Sequence, residues 1–158
     1  MKKIAIYGDN RQEEATKVRI ACRGVILSQD KIFLVHETNI DQWMLPGGGL
    51  EGDETLEECC IRELAEETGM VVKPEKHYLT IDEYYGEWLF TSHYFICTPL
   101  GETERHLTDL ETKLGLEPEW ISLEEAVEIF SEHQKYAETD EMRSGAYLRE
   151  YSALEVLR

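Results

Sequence analysis

Positive charge is what this chain has least of: 16 lysines and arginines stand against 33 aspartates and glutamates, a formal net charge of −17 over 158 residues. Such a surface repels nucleic acid, so direct DNA or RNA binding is not expected. It also repels any phosphorylated small molecule unless cations intervene. Cysteine is scarce too. Cys22, Cys59, Cys60 and Cys97 show no C-x-x-C spacing, and Cys59 and Cys60 are adjacent. They do not make a zinc site and read as reduced core residues of a cytoplasmic protein. No apolar run approaches the ~20 residues of a membrane span. The start MKKIAIYGD has too few apolar residues for a signal peptide. There is no internal repeat and no low-complexity tract. With 42% hydrophobic residues the chain is expected to form a single domain, 1–158, around a sizeable core.

What is present reads as alternating strands and helices. KIAIY is a strand followed by a GDN turn, and VRIACRGVILSQDKIFLVHE reads as two strands joined at SQD. DQWMLPGGGLEGDE is a glycine-rich loop. A helix follows from about Leu56 to Thr68, with Thr55 and Glu58 at capping-box spacing and Gly69 as its stop. MVVKP, a hairpin turning at YYGEW, and LEPEWISL supply further strands. Ser122 and Glu125 form a second capping box for a helix reaching about His133. A last helix covers about 141–157, with Tyr147, Tyr151 and Leu154 on one stripe.

The helix 56–68 carries its acids at the wrong end. Glu63, Glu66 and Glu67 crowd the C-terminal turns, where the helix dipole disfavours negative charge by roughly 0.3–1 kcal/mol per exposed group. At 100° per residue, with Leu56 at the origin, Glu63 and Glu67 fall within about 20° of it, beside Cys60. Two of the three carboxylates therefore share an apolar face. Ile61 and Ala65 lie opposite, so the helix is expected to pack on two sides. Partly buried, clustered carboxylates need protonation or a cation. Arg62 alone is too little for three. Hard divalent ions such as Mg2+ or Mn2+ prefer oxygen ligands, and a metal site resolves the conflict.

GGGLEG also contains G-x-G-x-x-G, as Gly47, Gly49 and Gly52, between a strand and a helix. A dinucleotide reading is formally open. It would set Glu51, Asp53 and Glu54 against a pyrophosphate and leave the acidic helix end unexplained. No G-K-[ST] follows, so the loop is no P-loop. It is expected to fold back along the helix, bringing Glu54 and a glycine carbonyl towards the carboxylates.

Gly48, Glu54, Arg62, Glu63, Leu64, Glu66, Glu67, Gly69 and Met70 fill every fixed position of the pattern G-x5-E-x7-R-E-U-x-E-E-x-G-U, U being a bulky apolar residue. Over these 23 residues the chain resembles the Nudix hydrolase family, MutT-like in type. WMLPG ahead of the box is also similar to the family's usual approach to it. The resemblance implies an α/β fold, the α/β/α Nudix sandwich with a mixed sheet and the box as loop–helix–loop. It implies hydrolysis of a nucleoside diphosphate linked to another moiety, with Mg2+ or Mn2+ as cofactor. Glu63, Glu66 and Glu67 would hold the metal, the Gly47 carbonyl would join them, and Glu54 and Arg62 would brace the loop. Glu63 is the first choice of general base. Glu111, Glu117 and Glu119 stay open as the further acid that many members add from outside the box.

Substrate choice lies outside the box. Members acting on ADP-ribose often carry a proline about 15 residues after it, where this chain has Tyr85. Members acting on diadenosine polyphosphates often carry a tyrosine 16 to 18 residues after it, where Gly86, Glu87 and Trp88 stand. Trp43, Tyr84, Tyr85 and Trp88 are candidates to stack on a base, with strand packing as the plain alternative. Trp43, Tyr85 and Glu117 are the candidate substrate contacts. The expected partner is a small nucleotide, with no membrane; a homodimer stays open. The rival function is a non-catalytic, nucleotide-binding regulatory module on the same fold.

Overall fold

A computed structural model describes all 158 residues. Nine strands and four α-helices follow in chain order. β1 (Lys2–Tyr7), β2 (Lys17–Val25), β6 (Gly47–Gly49), β7 (Met70–Tyr85) and β8 (Trp88–Glu102) form one sheet in the order β1-β7-β8-β2-β6. It is mixed: β1 runs parallel to β7 and β2 parallel to β8, whereas β7–β8 and β2–β6 are antiparallel. A second sheet joins β3 (Leu27–Ser28), β4 (Lys31–Glu37), β5 (Gln42–Met44) and β9 (Leu116–Ser122), with β4 pairing to the other three.

Strand alternation sends successive side chains to opposite faces, and here each face has its own core. Cys22, Phe33, Val72, Phe95 and Cys97 pack against Cys59, Cys60 and Leu64 of α1 (Leu56–Thr68). Val25, Leu34, Leu79, Ile81 and Tyr94 pack on the other side against α3 (Leu123–Ser131) and α4 (Glu141–Glu155), through Ala126, Phe130, Tyr147 and Leu154. The result is the expected α/β/α sandwich. No helix is long and apolar enough to cross a membrane.

All four cysteines are free and buried, as their spacing implied. MVVKP and the first hairpin strand form one long strand, β7, in which Pro74 adjoins a bulge at Glu75; Pro is tolerated beside such an interruption of the ladder. Three readings need correction. Ile61 is 38% exposed, so α1 buries one face and not two. Ser122 accepts the Glu125 N–H, but the reciprocal bond of a capping box is not made. α3 stops at Ser131 and continues as a 3-10 turn, Glu132–Tyr136. A further short helix, α2 (Asp109–Leu114), is held by a full capping box between Thr108 and Glu111.

Candidate active site

The site is built from the two ends of segment 48–70. At the start of α1, Thr55 Oγ1 accepts the Glu58 N–H at 3.1 Å and Glu58 returns the bond to the Thr55 N–H at 2.9 Å. The helix is thereby fixed in register. At its end Gly69 adopts φ 75°, the left-handed turn that only glycine takes at little cost. The carbonyls of Glu66 and Gly69 accept N–H groups of His106 and Thr103. No basic residue occupies the last turn.

Arg62 is the hub. Its guanidinium forks onto Glu54, Nη2 to Oε1 at 2.7 Å and Nε to Oε2 at 3.0 Å. Nη1 donates to Glu63 at 2.9 Å and to Glu66 at 3.2 Å, and Nη2 donates to the Gly49 carbonyl at 3.0 Å. The loop thus folds back along the helix as expected. Gly48 packs directly against the Glu63 carboxyl, leaving no room for a Cβ. The Arg62 bonds hold the Glu54 carboxyl down to about 2.

Glu67 stands apart from this network. It is 5% exposed and accepts one N–H, that of Gly47 at 3.1 Å. Burial pushes its pKa well above the ordinary carboxylate value; the Gly47 N–H and the Arg23 charge offset only part of this, and Glu111 adds like charge. Glu63 is raised as well, by burial, against the pull of Arg62. Glu66 is the most open of the three, its side chain 43% exposed.

The structure therefore brings Glu54, Arg62, Glu63, Glu66, Glu67 and Gly47 together. Gly47 meets Glu67 through its N–H. No three acidic, histidine or cysteine side chains converge on one point at ligand distance; Arg62 lies among the carboxylates instead. The donor set still suits a hard divalent cation. It is all oxygen, it is in charge excess over Arg62, and its most buried member lacks a counter-ion.

Of the three outside acids, Glu111 is the one whose charge reaches Glu63 and Glu67. Glu117 faces Arg105 at 3.6 Å, and Glu119 hydrogen-bonds His36 at 3.0 Å. The T-x-x-E spacing of Thr108 and Glu111 was the available signal for the helix that places Glu111. Trp43 and Tyr85 lie outside the Arg62 network. Trp43 stacks on His36 at 3.9 Å and lines a cleft between β5, α3 and α4. Tyr85 is half-buried over Gly8 and Gly145, and burial pushes its phenol up to about 12.

Comparison with known proteins points the same way. The family model described as NUDIX domain matches residues 17–142. A MutT-like protein of Streptomyces ambofaciens is 30% identical over 118 residues, 71% of this chain and 71% of that protein. The phosphatase NudJ of Escherichia coli K12 is 39% identical over 69 residues, 42% of this chain, and the match spans 43% of NudJ. Among solved structures, a UDP-X diphosphatase is 25% identical with a TM-score of 0.55, covering 72% of this chain and 54% of that one.

Proposed function

The chain belongs to the NUDIX family and is a Nudix pyrophosphohydrolase, and from that premise we propose that the acidic end of α1 is the divalent-metal site of a hydrolase acting on a nucleoside diphosphate derivative. One observation carries the reading: Glu67 is buried with a single N–H partner beside Glu63 and Glu66, at a helix end that already disfavours negative charge. Such a cluster is stabilised by bound positive charge.

Glu63, Glu66, Glu67 and the Gly47 carbonyl would hold Mg2+ or Mn2+, with Glu111 as the further acid. When bound, the cation supplies charge to the phosphate oxygens and lowers the pKa of a water. The protein's own groups do the rest. Glu63, held by Arg62 at the acidic helix end, accepts the proton of the attacking water, a role worth roughly 10²–10⁴-fold. Water oxygen bonds to phosphorus, the anhydride P–O bond breaks, and the leaving phosphate takes the electron pair. Arg62 holds Glu63 and Glu66 in place, and Glu54 holds Arg62 against the loop. Trp43, Tyr85 and Glu117 stay proposed as contacts for the rest of the substrate.

We propose a single domain over 1–158 acting in the cytoplasm, which four reduced buried cysteines support. Sedimentation would decide whether it works as a homodimer. The test of function is a screen of nucleoside triphosphates, nucleotide sugars and ADP-ribose with Mg2+ or Mn2+, reading phosphate after phosphatase coupling. Turnover that EDTA abolishes and the metal restores is expected; full turnover in metal-free buffer contradicts the reading. Binding without turnover across the screen would favour the regulatory module.

A further inference from the structure

Eight arginines serve a chain with 33 acids. Five of them, Arg62, Arg105, Arg143, Arg149 and Arg158, have a carboxylate within 4.0 Å. Arg11, Arg19 and Arg23 have none. Arg11 lies at the surface over Tyr7 and bonds the Gly8 carbonyl. The other two are neighbours: they stand on one face of β2, with Ala21 between them.

That face runs along the glycine strand. Ala21 pairs with Gly49 and Arg23 with Gly47 in the β2–β6 ladder. The Arg19 guanidinium lies over Gly49, where an added Cβ would meet its Nη2 at 3.4 Å. Arg23 donates Nη1 to the Leu45 carbonyl at 3.2 Å, and its charge is felt by Glu67, Glu83 and Glu150. Its Nε is the one buried side-chain polar atom in the molecule without a partner. A buried N–H left unpaired loses its hydration and gains nothing in return. In an acidic protein, an arginine pair without a carboxylate of its own, beside an uncompensated glutamate, is set to meet an anion that arrives with its own cation.

Glycines 47 to 49 make this geometry work. They put no side chain between the α1 carboxylates and the β2 arginines. A guanidinium edge presents parallel N–H donors that match phosphate oxygens. We propose that Arg23, with Arg19 beside it, receives the diphosphate oxygens of the substrate across the glycine strand from the acidic helix end. The assignment rests on the metal-site reading above. Its plain competitor is a structural clamp, Arg23 merely holding the Leu45 carbonyl. A clamp accounts for Arg23 Nη1 on Leu45 but leaves Arg19, exposed over Gly49 with no carboxylate partner, unexplained.

The two readings separate in a binding experiment with methylenediphosphonate, a non-hydrolysable diphosphate without a nucleoside, titrated calorimetrically in saturating Mg2+. Arg23→Lys keeps the charge but loses the fork, and Arg19→Gln is an exposed change that spares folding. Arg23→Lys should weaken the probe by about tenfold or more, the scale of one charge-assisted hydrogen bond, and Arg19→Gln by a few-fold. Mg2+ alone, read by thermal shift, should bind both variants as it binds the wild type. Unchanged probe affinity in both variants overturns the proposal, as does a wild-type protein that binds Mg2+ but not the probe. A wild type without any Mg2+ response contradicts the metal site; arginine-dependent binding of the probe would then still support the anion seat.

Discussion

Glu67 and Glu150 are both almost wholly removed from water, at 5% and 0% exposure, yet their surroundings push them in opposite directions. Burial disfavours the charge of each. At Glu150 the opposing partners win: Arg149 Nε at 3.0 Å, the Arg23 charge, the Tyr94 hydroxyl at 2.5 Å and the Leu45 N–H at 2.5 Å hold its pKa below the ordinary value. Arg149 also faces Glu83 at 3.6 Å, closing the network. Glu67 has the Gly47 N–H, the distant pull of Arg23 and the opposition of Glu111, and stays raised. Burial by itself thus does not mark a functional acid. What sets Glu67 apart is a shortage of donors at a place where two more carboxylates crowd the same helix end.

The largest expected effect breaks the pair on its functional side. Glu67→Gln should lower turnover by roughly 10²–10⁴-fold while the metal-free protein melts at the same temperature or higher, since a crowded like charge is relieved. Steady-state rates and thermal unfolding on one preparation check this; near wild-type turnover at saturating Mg2+ would refute a ligand role. Next comes the structural side. Glu150→Ala strands Arg149 and should cost about 3–5 kcal/mol in urea unfolding. A loss under 1 kcal/mol would mean the network is not holding α4 to the sheet.

A smaller effect sharpens the contrast through pH. The folded pKa of Glu67 lies above its unfolded value near 4.5, so the folded state binds more protons between the two. Stability of the metal-free protein should therefore fall as pH rises through that window, and Glu67→Gln should flatten the slope. Glu54, held down to about 2, has the opposite sign: its contribution is present above about 4.5 and is lost as pH falls towards 2. A pH series of melting temperatures, wild type against Glu67→Gln, reads both limbs.

Much of this arrangement was legible in the sequence where chemistry repeats at fixed spacing. Thr55, Glu58 and Gly69 marked α1 to the residue, and the helical angles put Glu63 and Glu67 on the buried face. The same angles misled at Ile61, because periodicity shows which residues share a face and not whether a partner covers it. Arg23, Glu83, Arg149 and Glu150 could not be read. They come from β2, β7 and α4, and only the pairing of the sheet brings them together. Glu111 was one of three open acids until α2 turned it towards Glu67. Trp43 and Tyr85 were aromatic candidates without a spacing rule, and packing against His36 and two glycines decided their positions.

The central claim is that the carboxylates of α1 are crowded because a cation completes them. Thermal unfolding with and without millimolar Mg2+, at matched ionic strength, tests it most directly. A cation binding only the folded state stabilises by RT ln(1 + [L]/Kd), about 2.7 kcal/mol at a hundred times Kd. The wild type should show that increment, and Glu63→Gln combined with Glu67→Gln should abolish it. An increment of the same size in the double variant would place the cation elsewhere and contradict the account.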